Sequence, residues 1–137
     1  MKQIQSLNEE GLQSSPPGGA QSVKKYDLAD RTLKFAGDII EFAQILPESS
    51  VMYQLRSQFV RSGTSVGANY HEANSAASRK DFFHKISLCR KEANETTYWL
   101  QLILKALPGQ KEKCQILIKE SWELTRIFLS IYKQSKN

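Results

Sequence analysis

The chain has 137 residues and a mass of 15.6 kDa, which suits one domain. Its composition, 40% hydrophobic and 24% charged, is typical of a globular protein and excludes a disordered chain. Two cysteines exclude a disulfide scaffold and a four-cysteine zinc site, two histidines argue against sites built on several imidazoles, and the formal charge of +5 favours anionic partners.

Residues 1–25 are predicted to form a flexible tail in front of a single domain at residues 26–137. The run Ser-Ser-Pro-Pro-Gly-Gly at residues 14–19 cannot continue a helix or a strand. A short interaction motif that orders on binding is the alternative, although no PxxP pattern supports it.

Helical periodicity begins after Asp27. Apolar residues from Leu28 to Leu46 recur at alternating steps of four and three, which lines one helical face. Asp27 can cap this first helix, and Pro47 ends it. A second helix is expected to begin at a serine cap, Ser49 or Ser50, and to run to about Ala77.

The third helix has the most regular pattern, from Phe82 to Leu107, and Pro108-Gly109 ends it. Ser78 followed by Asp81 resembles a capping box at its start. The fourth helix is expected from about residue 110 to residue 135. No segment shows strand alternation, and short connections make neighbouring helices antiparallel. The sequence therefore predicts an all-α, up-down-up-down antiparallel four-helix bundle.

The fourth helix carries a second apolar stripe, rotated by about 100° from the first. We predict that this stripe is an interface between copies of the chain. The alternative is a wide stripe that faces the core, which globular helices often have. The candidate interface residues are Ile118, Trp122, Leu129 and Tyr132, with Thr125 between them.

A run of small residues in the second helix includes Gly63 and Gly67. Small side chains let a neighbouring helix approach closely, and we predict such a close approach here. The alternative is a local kink, since each mid-helix glycine costs about 1 kcal/mol relative to alanine.

Polar residues form a stripe on the second helix and face a similar stripe on the third. An antiparallel register places Arg61 opposite residue 94, within reach of Glu92 or Glu95. We predict an ion-pair network that fixes the helix register, because buried charges need partners. The alternative is a charged pocket for a ligand or for catalysis. The network residues are Arg61, Asn69, Glu72, Glu92 and Glu95.

No catalytic, metal or cofactor site is predicted. Di-iron bundles use two Glu-x-x-His motifs, whereas the nearest approach here is Asp81 with His84, which is expected at the surface. Cys89 falls on the apolar seam of the third helix, where a thiol behaves as a small hydrophobe. No glycine-rich phosphate loop is present.

Charge is unevenly distributed along the chain. Residues 27–49 hold five acidic and two basic residues, a net charge of −3, whereas residues 78–137 hold twelve basic and six acidic residues, a net charge of +6. The second half could attract a polyanion through phosphate contacts, and the alternative is that its lysines only solvate the helices. The candidate nucleic-acid-binding residues are Arg79, Lys80, Lys85, Arg90 and Lys91.

Neither a signal peptide nor a membrane span is recognisable. Residues 1–5 are not followed by an apolar region, and the longest charge-free apolar stretch, residues 96–104, is shorter than the roughly 18 residues that a span needs. We expect a cytoplasmic protein with reduced thiols and no membrane partner.

Two long motifs resemble one protein family. They are RSGTSVGANY at residues 61–70, followed by Glu72-Ala73, and KEANETTYWL at residues 91–100. Asp27-Leu28 and Arg31-Thr32 add to the likeness. The chain is thus similar, over about residues 26–135, to the bacterial four-helix bundle family of proteins encoded in intervening sequences of large-subunit ribosomal RNA genes, once misnamed a ribosomal protein family.

The resemblance implies a ring-like homo-oligomer, specifically a pentamer, and no established enzymatic activity. Distantly similar bundles are accessory proteins of diversity-generating retroelements, where a basic pentamer binds a reverse transcriptase and its RNA. We therefore expect a non-enzymatic scaffold that binds nucleic acid or such a nucleoprotein partner. The alternatives are a purely structural or protein-interaction module, and an enzyme with an arginine-carboxylate pocket at Arg61, Glu92 and Glu95.

Overall fold

The computed structural model describes residues 27–137, and the predicted tail at residues 1–25 lies outside the described residues. Four long helices follow one another: α1 at Leu28–Ile45, α2 at Ser50–Ala73, α3 at Arg79–Ala106 and α4 at Lys111–Lys133. Short 3₁₀ helices at Pro108–Gln110 and Gln134–Lys136 begin and end the last segment. The predicted all-α four-helix bundle is confirmed, with helices that pack on their chain neighbours.

Side-chain caps fix the starts of the first three helices. Asp27 accepts a hydrogen bond from the backbone N–H of Asp30 at 2.8 Å, and Ser49 accepts one from Met52 at 3.0 Å. Ser78 accepts one from Asp81 at 3.0 Å. Each bond satisfies an N–H that has no partner within its helix, so each helix begins where the sequence predicts.

The end of α2 differs from the prediction, because the helix stops at Ala73 rather than near Ala77. Tight i to i−3 hydrogen bonds follow, from Ser75 to Glu72 and from Ala76 to Ala73. Ser78 must leave the helical conformation to cap α3, and its backbone is extended at φ −147° and ψ 163°. The residues between the two helices therefore form the turn.

The core lies along the axis of the bundle and receives apolar residues from every helix. Phe42 packs edge-on against Phe59 with ring centroids 5.8 Å apart, and Tyr70 lies 5.8 Å from Phe128. Two hydroxyl pairs interrupt this apolar interior: Thr96 donates to Ser62 at 2.9 Å, and the Thr97 and Ser121 hydroxyls lie 2.7 Å apart. These pairs join α3 to both of its neighbours.

The small residues of α2 allow α1 to approach closely. A Cβ atom placed on Gly63 would lie 2.8–3.0 Å from side-chain atoms of Ile39, and one on Gly67 would lie 3.1 Å from the Thr32 hydroxyl. The helix is continuous from Ser50 to Ala73. Close approach, rather than a break in the helix, therefore accounts for the glycines.

The pair α1 and α4 has the weakest contact among neighbouring helices. Arg31 joins them, since its guanidinium donates to both oxygens of Glu120 at 2.8 and 2.9 Å and to Glu123 at 2.8 Å. None of the helices among the described residues is long and apolar enough to cross a bilayer.

Candidate functional site

The first basic candidate, Arg79, is held by the end of the chain. Its guanidinium donates to the backbone carbonyls of Gln134 at 3.0 Å and Ser135 at 3.4 Å, and it lies 4.8 Å above the Phe83 ring. The two carbonyls belong to the 3₁₀ turn Gln134–Lys136 that follows α4, where Gln134 also accepts a hydrogen bond from the backbone N–H of Asn137. Arg79 therefore ties the start of α3 to the end of α4.

Lys80 follows Arg79 in the sequence and is exposed. Together with His84 and Tyr132 it lines a groove of about 450 Å³ between α3 and α4. Lys133 and Lys136 are exposed where α4 ends, at the same end of the bundle. We call Lys80, Lys133 and Lys136 the basic end; none of them makes a salt bridge with another described residue.

Lys85 is not part of this surface. Its ammonium donates to Glu72 at 2.6 Å, across the pair α2 and α3. The hydrogen bond lowers the pKa of Glu72 and raises the pKa of Lys85, so both groups remain charged at neutral pH. Because its charge is matched locally, Lys85 contributes little to a positive field.

The remaining two candidates lie farther along α3. Lys91 is exposed and Arg90 is half-buried, and neither makes a salt bridge among the residues that the structure describes. The five predicted residues therefore do not form one patch. Lys133 and Lys136 were outside the candidate set, although the predicted antiparallel bundle already returns the end of α4 to the start of α3, which is the signal that could have indicated them.

Arg61 contacts both of the glutamates that the antiparallel register placed opposite it. Its guanidinium donates to Glu92 at 3.2 Å and to Glu95, and it also reaches Gln58 at 3.4 Å. The indole N–H of Trp99 donates to the same Glu95 carboxylate at 2.8 Å. These four side chains, Arg61, Glu92, Glu95 and Trp99, form a surface cluster across α2 and α3.

The other two members of the predicted network lie outside this cluster. Asn69 donates to the backbone carbonyl of Ser65 in its own helix at 2.9 Å, and Glu72 binds Lys85. Sequence spacing missed Trp99, although its position four residues after Glu95 on a helix is the signal that could have indicated the contact.

Hydrogen bonds keep the Glu95 carboxylate of this cluster ionised. Burial raises the pKa of Glu95, but hydrogen bonds from Trp99 and Arg61 outweigh burial and hold the pKa below its usual value. The hydrogen bond to Glu95 raises the pKa of Arg61. A carboxyl that stays ionised and is already bonded on both sides suits a fixed register between helices better than proton transfer.

The second stripe of α4 divides between core and surface. Ile118 and Tyr132 are partly buried and pack against the core, whereas Trp122 is 59% exposed and Leu129 is 38% exposed. The wide-core alternative therefore covers only half of the candidate residues. Tyr98, which is 55% exposed, extends the apolar surface, because Tyr98 and Trp122 each follow one member of the pair Thr97 and Ser121.

Both thiols are inside the bundle. Cys89 and Cys114 are unpaired and fully buried, and burial raises the pKa of each. Over residues 27–137, no group of three or more histidine, cysteine, aspartate or glutamate side chains is placed to hold a metal ion.

Comparison with known proteins identifies a family and shows a close likeness to a solved structure. A family model described as 23S rRNA-intervening sequence protein matches residues 24–130. The chain is 37% identical to a protein with unknown function from the S23 ribosomal protein family of Bacteroides thetaiotaomicron VPI-5482, known from a crystal structure. That match has a TM-score of 0.72 and covers 77% of this chain and 98% of the other. No curated protein matches the chain.

Proposed function

The chain belongs to the 23S rRNA-intervening sequence protein family, and from this membership we propose that it is a non-enzymatic, homo-oligomeric scaffold whose basic end binds RNA. The proposed assembly is a ring of five copies, about 78 kDa at 15.6 kDa per copy. The RNA can arrive alone or with a protein such as a reverse transcriptase. The proposed compartment is the cytoplasm.

The observation that carries the RNA proposal is the grouping of lysines at one end of the bundle. Lys80, Lys133 and Lys136 are exposed there, without salt bridges to described residues. Unpaired lysines release counterions from a nucleic acid when they neutralise its phosphates. A symmetric oligomer repeats this cluster in every copy, which adds the fields together.

The proposed contacts are to phosphates rather than to bases. Aromatic side chains near the basic end are largely enclosed: Phe83 is buried beneath Arg79, and Tyr132 is partly buried. Stacking on bases needs open aromatic faces, so backbone charge and RNA shape lead the recognition.

The oligomer is supported by exposed apolar area on α4. Trp122 and Leu129 are exposed, although a large aromatic side chain gains little by facing water. Light scattering at micromolar concentration measures the mass directly. A mass several times 15.6 kDa supports the proposal, and a stable monomer contradicts it.

RNA binding is tested with a fluorescently labelled 23S ribosomal RNA fragment and the purified protein. We expect binding at about 50 mM salt that weakens by at least about tenfold at 200 mM, because several phosphate contacts are lost together. Reversing charge in the double variant Lys80→Glu, Lys133→Glu should abolish binding at both concentrations.

The matched control is Lys111→Glu, Lys113→Glu. It changes the net charge by the same amount, but its two exposed lysines begin α4 at the opposite end of the bundle. Equal loss of binding in both double variants would show that net charge alone acts and that the basic end is not the site. If the unmodified protein binds no RNA at the lower salt, the scaffold must act through protein partners.

A further inference from the structure

We propose that the copies of this chain join head to tail: the exposed apolar stripe of α4 docks on the outer face of α1 of a second copy. The inference rests on the proposed homo-oligomer and adds the two surfaces that meet. The donor surface is defined by Trp122 and Leu129, and the acceptor surface by Leu33 and Ile40.

The acceptor surface is an unpartnered apolar face on α1. Leu33 is 72% exposed and Ile40 is 44% exposed, although α1 buries a full core face on its other side. Beside Leu33 lies a cleft of about 380 Å³ between α1 and α2. Its walls carry small residues that leave room for an inserted side chain: Ala29, Ala36, Thr64, Gly67 and Ala68.

The two surfaces have the same spacing. Leu33 and Ile40 are seven residues apart, and so are Trp122 and Leu129. Seven residues span about 10.5 Å along a helix, so each surface offers two apolar points at equal distance. Helices that pack together bring such points into register, as in heptad repeats.

Charges beside the two surfaces are complementary. Lys119 and Arg126 lie three residues before and four residues after Trp122, and both are exposed without a salt bridge to a described residue. On α1, exposed Asp30 lies three residues before Leu33, and exposed Glu41 follows Ile40.

This charge pattern selects a pairing of unlike surfaces. Two α4 stripes facing each other would bring their basic residues together, whereas α4 against α1 brings basic residues to acidic ones. Like charges placed together at an interface are unfavourable. The second copy therefore presents α1, and the contact is heterologous.

A head-to-tail contact leaves one free surface of each kind on every dimer. Each added copy is rotated by the same angle relative to the previous one. When these rotations add up to a full turn, the last copy meets the first and the ring has no free surfaces of either kind. One interface, repeated, is then sufficient for a closed assembly.

The test uses two variants that each damage one surface, Trp122→Glu and Leu33→Lys, so that each new charge meets like charges across the proposed contact. Both side chains are mostly exposed, so each variant should fold and show the helical circular dichroism of the unmodified protein. We expect each variant alone to be monomeric by light scattering. Mixed in equal amounts, the two should form a dimer of about twice 15.6 kDa, because one intact α4 surface can meet one intact α1 surface.

Tyr53→Glu is the matched control, since Tyr53 is 64% exposed and lies on α2 outside both surfaces. It should leave the assembly unchanged. If Leu33→Lys fails to fold, Ile40→Lys replaces it in the same mixture.

The outcomes separate this inference from the proposed function. An oligomer that persists in either the α4 variant or the α1 variant, or two monomeric variants that do not combine, would overturn the head-to-tail pairing while the homo-oligomer stands. A monomeric unmodified protein would overturn both.

Discussion

Among the glycines of the described chain, Gly63 has the least space for an added methyl group. Its Cβ would lie within 3.0 Å of three side-chain atoms of Ile39, which is itself fully buried. Replacing Gly63 by alanine should therefore lower the free energy of unfolding by about 1–3 kcal/mol, because a packed interior accommodates extra volume poorly. Urea denaturation followed by circular dichroism measures the change.

Gly37 provides the opposite case in the neighbouring helix. A Cβ placed there meets nothing within 4 Å, so Gly37→Ala should gain about 1 kcal/mol from helix propensity alone. Equal effects of the two substitutions would contradict the close approach of α1 and α2 at Gly63.

Two single carboxylates should make the stability of the folded protein sensitive to acid. The pKa of Glu95 is held below its ordinary value of 4.5 in the folded protein, as is that of Glu72. Below that value the unfolded chain binds more protons than the folded one, so stability should fall as the pH drops from about 4.5. At higher pH these two groups should contribute no further change.

The matched variant for this prediction is Glu95→Gln. It cannot be protonated, so its unfolding free energy should vary less steeply below pH 4.5 than that of the unmodified protein. Urea midpoints measured at several pH values give both slopes. Identical slopes would mean that Glu95 has the same pKa in the folded and unfolded states.

Contacts between side chains could be predicted where the antiparallel register of two helices fixes which positions lie opposite each other. The antiparallel register was enough to place Arg61 near Glu92 and Glu95. The same register places Glu72 opposite residue 83, within reach of Lys85, so it also indicated this ion pair, although Lys85 was grouped with the nucleic-acid-binding candidates. The Arg79 tie was missed, since it depends on carbonyls at the far end of the sequence.

At the scale of helices, α1 depends on Arg31 for its attachment to α4. The guanidinium binds both Glu120 and Glu123, and elsewhere the backbones of α1 and α4 come close at few points. Arg31→Ala should cost about 1–2 kcal/mol, as the loss of a partly buried, charge-assisted contact. Amide hydrogen exchange should quicken in α1 more than in α2 and α3.

Lys34→Ala is the control for that experiment. Lys34 is paired with Asp38 within α1, so its removal should leave the junction between α1 and α4 unchanged. Uniform acceleration of exchange across all four helices would show that Arg31 stabilises the whole bundle rather than one edge.

Helix starts were more predictable than helix ends. Caps such as Ser49 and Ser78 are local, and the sequence shows them directly. The end of α2 depends instead on the turn that brings Ser78 into position, so extending the helix up to the Ser78 cap made the predicted helix about four residues too long. Alanines in the turn, Ala76 and Ala77, gave no stop signal.

At the scale of the whole molecule, the two thiols report global opening. Cys89 and Cys114 are fully buried, and burial raises their pKa values, which keeps the less reactive thiol form. A thiol reagent such as Ellman's should not react with the folded protein and should label both cysteines in urea. Rapid labelling of one cysteine without denaturant would indicate that its helix opens separately.

The architecture followed from periodicity and short connections, since each helix needed a partner for its apolar face. Periodicity and connection length did not predict which residues of the α4 stripe are buried and which are exposed. Ile118 and Trp122 are one turn apart and equally apolar, yet the first packs against the core and the second is exposed. Helix rotation within the bundle decides between them, and that rotation depends on all four helices together.

An even number of helices returns the polypeptide to the side from which it started. The described chain enters at Asp27, ends at Asn137, and the Arg79 tie fixes its last turn beside the lysines of the basic end. A purification tag or fluorophore fused after Asn137 would therefore crowd the basic end. The Pro108-Gly109 connection, at the opposite end and exposed, is the better place for a label.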